Sequence, residues 1–244
     1  MQDLFLSDVM DHQPAVMKYV TQNTLDLFHS DHLVRICAPM VRYSKWAMAE
    51  GYGACLINNP ELVSDMVKQV RNQVGDPGFT ISIKIRIHAD ISRTVDLCRK
   101  AEAAGVSWIT VHGRTHDERH QPVHYDAIKS IKESLSIPVV ANGDVKSLKE
   151  AENIREITGA DGVMAARGLL ANPAMFAGYE ETPLACIQDW IDITLEHGTP
   201  FTCLHHHLIY MMERITSKQE KRVFNVLSST SAVLDYLRDH YGIQ

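Results

Sequence analysis

The sequence predicts a parallel α/β fold of the TIM-type (β/α) barrel class, and two observations lead to this prediction. Four short apolar runs begin at residues 81, 108, 138 and 162, at intervals of 27, 30 and 24 residues. This spacing matches strand–helix units of about 30 residues. Each run ends in polar residues, and helical periodicity fills the stretches between the runs. Because functional side chains of such folds lie at the carboxyl ends of the strands, the same pattern indicates where a site would form.

The first two predicted units follow from strand patterns and helix caps. Residues 33–40 form an apolar run that predicts a strand. A helix is expected after Asn59, because Asn is a favourable N-cap and the following proline suits the first helical turn. Residues 81–87 predict the next strand, and Ser92 is the predicted cap of the helix that follows it.

The remaining units repeat this order. A strand is expected to end at His112, and Asp126 is the predicted cap of the next helix. Residues 137–142 predict another strand, after which Ser147 and Glu150 have the spacing of a capping box. The last strand is expected to end at residues 166–168, and the periodicity beyond it is helical.

The number of strands predicts an incomplete barrel. Four units and the strand near residue 36 make five strands, whereas a (β/α)₈ barrel has eight and typically about 250 residues. We therefore expect a lead over residues 1–32, a barrel that lacks about three units over residues 33–178, and a helical domain over residues 179–244.

Composition narrows the classes of protein that fit. The net charge of −6 argues against indiscriminate binding of nucleic acid, although a local basic patch stays compatible with it. Five cysteines, none in a CxxC pair, indicate a reducing compartment rather than a disulfide framework or a zinc site. We find no membrane-spanning run and no secretory signal, so we expect a cytoplasmic protein, with the nucleus as the alternative.

Two glycine turns at neighbouring strand ends predict a phosphate site. A glycine turn and a helix N-terminus follow one strand, and the same arrangement follows the next. Free backbone N–H groups and the helix dipole favour an anion at such turns. In the alternative interpretation, the glycines only make the chain reversals. The residues concerned are Asn142, Gly143 and Asp144 in the first turn, and Ala166 and Arg167 in the second.

Three side chains near the strand ends are candidates for ligand contacts. Lys84 and Arg86 share one face of their strand, and a lysine on a barrel interior needs a ligand or a carboxylate. An outward-facing edge strand is the alternative. His112 ends its strand and could donate a hydrogen bond to a ligand, although a structural histidine would look the same. The recurrence of histidine every four residues from His112 to His124 does not predict a metal site, because Gly113 and Pro122 interrupt it.

The tail carries a basic segment. Its cationic residues have spacings that would place them on one helical face, where solvated charges or contacts with a phosphate backbone are the two interpretations. The residues of this predicted RNA-binding face are Arg214, Lys218, Lys221 and Arg222.

Five motifs in order resemble one known family. They are Ile36–Val41, Ile83–Arg86, Val111–Thr115, Pro138–Asp144 and Ala165–Gly168. Together they closely resemble the tRNA-dihydrouridine synthases, and the eukaryotic Dus4-like branch is the most similar. The similarity covers roughly residues 25–240, including a helical tail like the family's tRNA-binding domain.

The resemblance implies an enzyme that reduces a D-loop uridine of tRNA to 5,6-dihydrouridine, with FMN as cofactor and NADPH as the reductant. By matching motif, Lys84 and His112 would contact the polar edge of the flavin. The two glycine turns would hold the ribityl chain and phosphate. The flavin ring would be lined by Pro39, Met40 and Val41.

One departure from the family pattern bears on activity. Family members carry an Asn-x-x-Cys-Pro segment whose cysteine is the general acid, and residues 41–46 stand where Cys-Pro is expected. Together with the missing strands, this predicts an internal deletion of about 60–90 residues, or two to three β/α units. Cys55 lies in an apolar run and is expected to pack rather than replace the acid. The catalytic acid is unassigned, and we expect weak activity or none.

Two other functions stay open from the sequence. One is a non-catalytic RNA-binding remnant that uses the basic face of the tail. The other is a different phosphate-binding barrel enzyme, such as an aldolase or epimerase, which would contain no flavin.

Overall fold

A computed structural model describes residues 33–36, 53–76, 78–118 and 120–243, with secondary structure alone at 33–36 and 53–55. The chain divides into two units. The sheet unit contains the described residues up to 145 together with 150–165, and the helical unit contains residues 146–149 and 166–243.

The sheet unit is built on five parallel strands in sequential order. They are β1 (Leu33–Ile36), β2 (Thr80–Arg86), β3 (Trp108–His112), β4 (Val139–Asn142) and β5 (Gly162–Met164). Sequential neighbours that are all parallel require a crossover between each pair, as the strand–helix alternation predicted. The parallel α/β class is therefore confirmed.

The register separates two faces of this sheet. Ile83 pairs with Ile109, which pairs with Val139, and all three are buried. Because side chains alternate, the residues between them point to the opposite face. That face carries polar side chains such as Lys84, Thr110 and Asn142, which is why polar residues interrupt the apolar runs of these strands.

Four helices accompany these strands in the sequence: α1 (Pro60–Gln73), α2 (Ile91–Ala103), α3 (Tyr125–Glu133) and α4 (Leu148–Thr158), and a 3-10 turn covers Gly53–Asn58. Helix α1 packs on α2, and α2 packs on α3. The apolar stripes of these helices are fully buried at Leu97, Cys98, Ile128 and Ile131. This layer covers the apolar row of the sheet and leaves the strand ends as the place for polar side chains.

Helix caps agree with the sequence at one position and differ at two. Asn59 caps α1, and its side chain accepts a hydrogen bond from the Leu62 backbone at 3.1 Å. The prediction that Ser92 caps α2 was wrong, because the Asp90 carboxylate accepts from both the N–H and the hydroxyl of Ser92. Asp126 was also wrong as a cap. Helix α3 begins at Tyr125, with no side-chain cap bond.

All regular elements described after residue 165 are helices. They are α5 (Arg167–Ala171), α6 (Leu184–Glu196), α7 (Phe201–Met211), α8 (Lys218–Phe224) and α9 (Thr230–Tyr241), with a 3-10 turn at Met175–Ala177. Ile187, Leu204, Leu208, Phe224 and Leu237 form their shared core. None of the helices in the described ranges is long and apolar enough to cross a membrane.

The central strand offers a direct test of the sheet core. Ile109 is fully buried, and the exposed Ile157 on α4 is the matched control. We expect Ile109→Ala to lower the free energy of unfolding by about 2–5 kcal/mol, because it removes packing and leaves a cavity. Ile157→Ala should cost about 0.5 kcal/mol or less. Urea denaturation followed by far-UV circular dichroism measures both, and equal losses would contradict this core.

Candidate functional site

A row of polar side chains crosses the sheet near its carboxyl edge. Arg86 pairs with His112, His112 with Asn142, and Asn142 with Met164. Neighbouring strands lie about 4.8 Å apart, so these side chains stand beside one another on one face. Lys84 lies two residues before Arg86 on the same face, where it pairs with Thr110. The structure thus places Lys84 and Arg86 on one face of β2, as the strand pattern predicted, and places His112 on the same face of the neighbouring strand.

The two ring nitrogens of His112 are buried without a hydrogen-bond partner in the part of the chain that the structure describes. Burial lowers the pKa of His112 to about 4, and the positive charges of Arg86, Lys84 and Arg114 act in the same direction. The imidazole is therefore neutral near pH 7, with one nitrogen able to donate and the other able to accept. Buried polar atoms are normally hydrogen-bonded, so these two nitrogens offer a donor and an acceptor to a water molecule or a ligand on this face of the sheet.

An ion pair closes the sheet edge next to this histidine. Arg114 is 3% exposed, and its guanidinium binds both carboxylate oxygens of Asp144. The same guanidinium donates to the Gln121 carbonyl at 2.5 Å. The paired charge raises the pKa of Arg114 above its usual value. One side chain thus joins the turn after β4 to the loop between β3 and α3.

Sequence reasoning missed this pair, although a signal for it was present. His112 and Asn142 are partners in the register, and Arg114 and Asp144 each lie two residues further along. Two oppositely charged residues that each follow a paired strand residue by the same number of positions are expected to lie close enough to form an ion pair. The prediction instead used Asp144 as a ligand of ribityl or phosphate, and the structure gives its carboxylate a partner in Arg114.

The glycine turns let the loop between β3 and α3 approach the strand ends closely. A Cβ added at Gly113 or at Gly143 would lie 2.8 Å from the Val123 side chain. Gly143 has φ of +143°, and Asp144 after it has φ of +48°. The hydroxyl of Tyr125 donates to the Gly143 carbonyl at 3.0 Å. Glycine is therefore required at 143 both by backbone conformation and by space.

The predicted phosphate ligands occupy both units. In the sheet unit, Asn142 is buried and its amide donates to the Met164 carbonyl at 2.9 Å. In the helical unit, Arg167 is the first residue of α5, and Ala166 is its N-cap without a side-chain bond. That both turns hold one phosphate stays a prediction. Pro39, Met40 and Val41 lie outside the described residues, and so does the side chain of Cys55.

The basic residues of the tail do not share one helical face, so that prediction was wrong. Helix α7 ends at Met211, and α8 begins only at Lys218, with Ser217 and Glu220 forming a capping box. Arg214 lies in the turn between them and donates to the Glu180 carbonyl at 3.1 Å. Lys218, Lys221 and Arg222 lie on α8. Capping at Ser217 restarted the helix where charge spacing alone predicted a continuous one.

The histidines that recur every four residues have separate surroundings. His116 contacts Asp117 at 3.0 Å, and His124 contacts Glu118 at 3.0 Å. Within the described ranges, no group of three or more His, Cys, Asp or Glu side chains could hold a metal ion. In the helical unit, His205 is buried, with Nε2 2.9 Å from the Phe224 carbonyl oxygen.

The buried histidine predicts a pH dependence of stability. Its pKa is about 4 in the folded protein and about 6.5 in the unfolded chain, so the unfolded chain binds the proton more tightly. Stability should therefore fall as the pH drops from about 6.5 to 4. Allowing for solvent screening of a partly buried ring, the contribution is about 1–2 kcal/mol.

Urea denaturation at pH 7.5 and pH 4.5 measures this effect. His112→Gln should lose less stability between the two pH values than the parent. His116→Gln, at a half-exposed position, is the matched control and should behave like the parent. Parallel pH profiles for all three proteins would show that His112 titrates normally.

Comparisons with known proteins identify the family. The profile described as Dihydrouridine synthase (Dus) matches residues 44–237. The chain is 79% identical over 199 residues to a tRNA-dihydrouridine(20a/20b) synthase [NAD(P)+]-like protein of Homo sapiens, covering 82% of this chain and 63% of that protein.

Two fungal relatives agree with this match. The chain is 45% identical over 196 residues to the tRNA-dihydrouridine(20a/20b) synthase [NAD(P)+] of Saccharomyces cerevisiae, covering 78% of this chain and 53% of that protein. It is 41% identical over 200 residues to the protein of the same name in Schizosaccharomyces pombe, covering 82% and 61%. The chain thus spans less than two thirds of the length of these relatives. With a family profile that covers most of its length, this chain belongs to the dihydrouridine synthase family.

Proposed function

We propose that the polar row binds FMN and that the chain serves the reduction of a D-loop uridine in tRNA to 5,6-dihydrouridine. The observation that carries this proposal is His112, whose two buried ring nitrogens have no partner among the described residues. The relatives' names, which include tRNA-dihydrouridine synthase and NAD(P)+, support the substrate and the use of NADPH as reductant.

The residues present fit a flavin. An isoalloxazine ring offers carbonyl oxygens and ring nitrogens along one edge, and a neutral imidazole can donate to one of them or accept from the ring N–H. Lys84 and Arg86 supply positive charge on the same sheet face, where electron density on that edge would be stabilised. When bound, FMN would supply the hydride, while these side chains hold and polarise it.

The loop between β3 and α3 would give this site its rigidity. Arg114 ties the loop to Asp144, and Tyr125 ties it to the Gly143 carbonyl. Arg86 adds a bond of 2.9 Å from its guanidinium to the Thr115 carbonyl. Arg86 is therefore anchored by the loop, and its charge is held beside His112.

The match to 20a/20b synthases supports placement in the Dus4-like branch. We propose that the chain carries an internal deletion, because the Asn-x-x-Cys-Pro segment is missing and five strands occur in the described ranges. We place the activity in the cytoplasm, with the nucleus as the alternative compartment. A non-catalytic RNA-binding remnant stays the second function, favoured by the missing general acid.

Flavin binding tests the polar row. We expect Lys84→Ala to weaken FMN binding about tenfold, because a hydrogen bond from a charged group contributes about 1.5–3 kcal/mol. Quenching of FMN fluorescence during titration measures the affinity. Lys129→Ala on the exposed face of α3 is the matched control and should bind FMN like the parent. Equal affinity for Lys84→Ala would remove this lysine from the site.

Turnover tests the missing acid. The purified chain, with NADPH, FMN and unmodified tRNA, should form dihydrouridine about 10²–10⁴-fold more slowly than a family member that has the Cys-Pro segment, since that is the usual contribution of a general acid. Mass spectrometry of digested tRNA measures the product. Turnover equal to that of the comparison enzyme would show that another group of this chain supplies the proton.

A further inference from the structure

The helical unit contains a small cavity that is lined partly by apolar and partly by polar side chains. It has a volume of about 210 Å³ and lies between the end of α7, the turn after it and α8. Met212 and Phe224, both almost fully buried, contribute to its apolar lining. Tyr210, which is 41% exposed, also lines it. A cavity below about 300 Å³ is too small for a drug-sized ligand, but it offers an apolar base and an aromatic face to one flat ring.

The same cavity carries three polar side chains that the helical unit does not use. Glu213, Lys221 and Asn225 line it. Glu213 and Asn225 are exposed and Lys221 is half-buried, and among the described residues none of the three side chains has a hydrogen bond or an ion pair. An acceptor, a cation and an amide thus surround an apolar base. Side chains of these kinds can form hydrogen bonds with a ligand that carries both donors and acceptors along one edge.

The segment beside the cavity has a net positive charge, although the whole chain has a net negative charge. Residues 213–222 carry Arg214, Lys218, Lys221 and Arg222 against Glu213 and Glu220, whereas the whole chain has a net charge of −6. Both carboxylate oxygens of Glu220 already have partners, because they accept from the Ser217 backbone at 2.7 Å and from the Tyr241 hydroxyl at 3.1 Å. Hydrogen bonding from Ser217 lowers the pKa of Glu220. An anionic ligand would meet more cations than free carboxylates here.

We propose that this cavity binds one unpaired base of an RNA strand, with a preference for guanine. The flat face of the base would stack on Tyr210, as unpaired bases do on aromatic side chains. The N1–H and N2–H donors of guanine suit the Glu213 carboxylate, whereas adenine, cytosine and uracil lack two adjacent donors. Lys221 and Asn225 would donate to the O6 acceptor or to the neighbouring phosphate.

The geometry of the surrounding helices suits this role. The ring of Tyr210 is supported by His206, whose centroid lies 6.2 Å away. Thr216 fixes the turn by donating to the Met212 carbonyl at 2.7 Å. The cavity is therefore bounded by a capped helix and a closed turn rather than by a long loop, and little ordering is needed when a base enters. This inference rests on the proposed RNA substrate, and it names a contact within the helical unit, whereas the polar row belongs to the sheet unit.

Short RNA strands without uridine test the cavity separately from the reaction. Fluorescein-labelled CCCCGCCCC and CCCCACCCC cannot be substrates, so fluorescence anisotropy with the full chain reports binding alone. The parent should bind the guanine strand about tenfold more tightly than the adenine strand. Tyr210→Ala should weaken binding of the guanine strand about tenfold, and Tyr210→Phe should retain it, because stacking needs the ring and not the hydroxyl.

Two further variants separate base recognition from charge. Glu213→Gln should abolish the preference for guanine without weakening the binding of the adenine strand, because it removes a carboxylate that would repel the phosphates. Lys221→Ala should reduce the slope of log affinity against log salt by about 0.7. Tyr179→Ala, at a similarly exposed tyrosine, and Glu196→Gln, at an exposed carboxylate, are the matched controls and should bind like the parent.

The outcomes decide the proposal. Parent-like binding by Tyr210→Ala, or an unchanged base preference in Glu213→Gln, would overturn it. No binding of either strand by the parent would overturn it as well, and binding of a protein segment in place of RNA would assign the cavity to another class of partner. Because these strands contain no uridine, loss of dihydrouridine formation with normal binding here would count against the proposed reaction alone.

Discussion

The parallel register of β2, β3 and β4 is the constraint on which the site depends. It sets Arg86, His112 and Asn142 side by side, although 56 positions of sequence separate the first from the last. A slip of one residue would send the histidine to the apolar face and an aliphatic side chain to the polar one. The apolar row of Ile83, Ile109 and Val139 makes such a slip costly. Hydrophobic burial on one face thereby fixes the chemistry on the other.

Electrostatics then act on groups that the register has already positioned. Three cations lie near His112, so protonating the ring would add a fourth positive charge in a poorly solvated place. The ring stays neutral, while Arg114 is compensated by Asp144. A neutral imidazole beside fixed positive charges suits a ligand with an electron-rich edge. The cations stabilise electron density on the ligand, and the neutral ring does not transfer a proton to it. The arrangement separates polarisation, which the cations supply, from hydrogen bonding, which the imidazole supplies.

The sequence predicted the repeating parts of the fold better than the features that depend on single contacts. Strand positions followed from apolar runs, because each buried strand needs several apolar residues in succession. Caps were harder to predict. Asp90 and Ser92 are both good capping residues, and only the chain path decided between them. The prediction of one basic helical face was wrong for a related reason, since the spacing of charges cannot show that a new helix begins after Ser217.

The site itself was partly readable. Lys84 and His112 were selected as candidates because a lysine within a strand and a histidine at a strand end are unusual. The pairing of Arg114 with Asp144 could be predicted only once the register of β3 and β4 was known. The cavity beside Tyr210 had no signal in the sequence. Its walls come from α7, α8 and the turn between them, and their meeting depends on how the chain turns after Met211.

The Val123 side chain restricts substitution at two glycines that are 30 positions apart, Gly113 and Gly143. It fills the space that a Cβ would need at Gly113 and at Gly143. A substitution at either glycine therefore depends on what stands at position 123, and the three sites are epistatic. Shortening Val123 would free only part of the space, since the His124 carbonyl also lies 2.9 Å from a Cβ at Gly113 and the backbone at Gly143 favours glycine in any case. Of these three positions, only Val123 is therefore expected to tolerate a change of side-chain size, and both turns would respond to that change together.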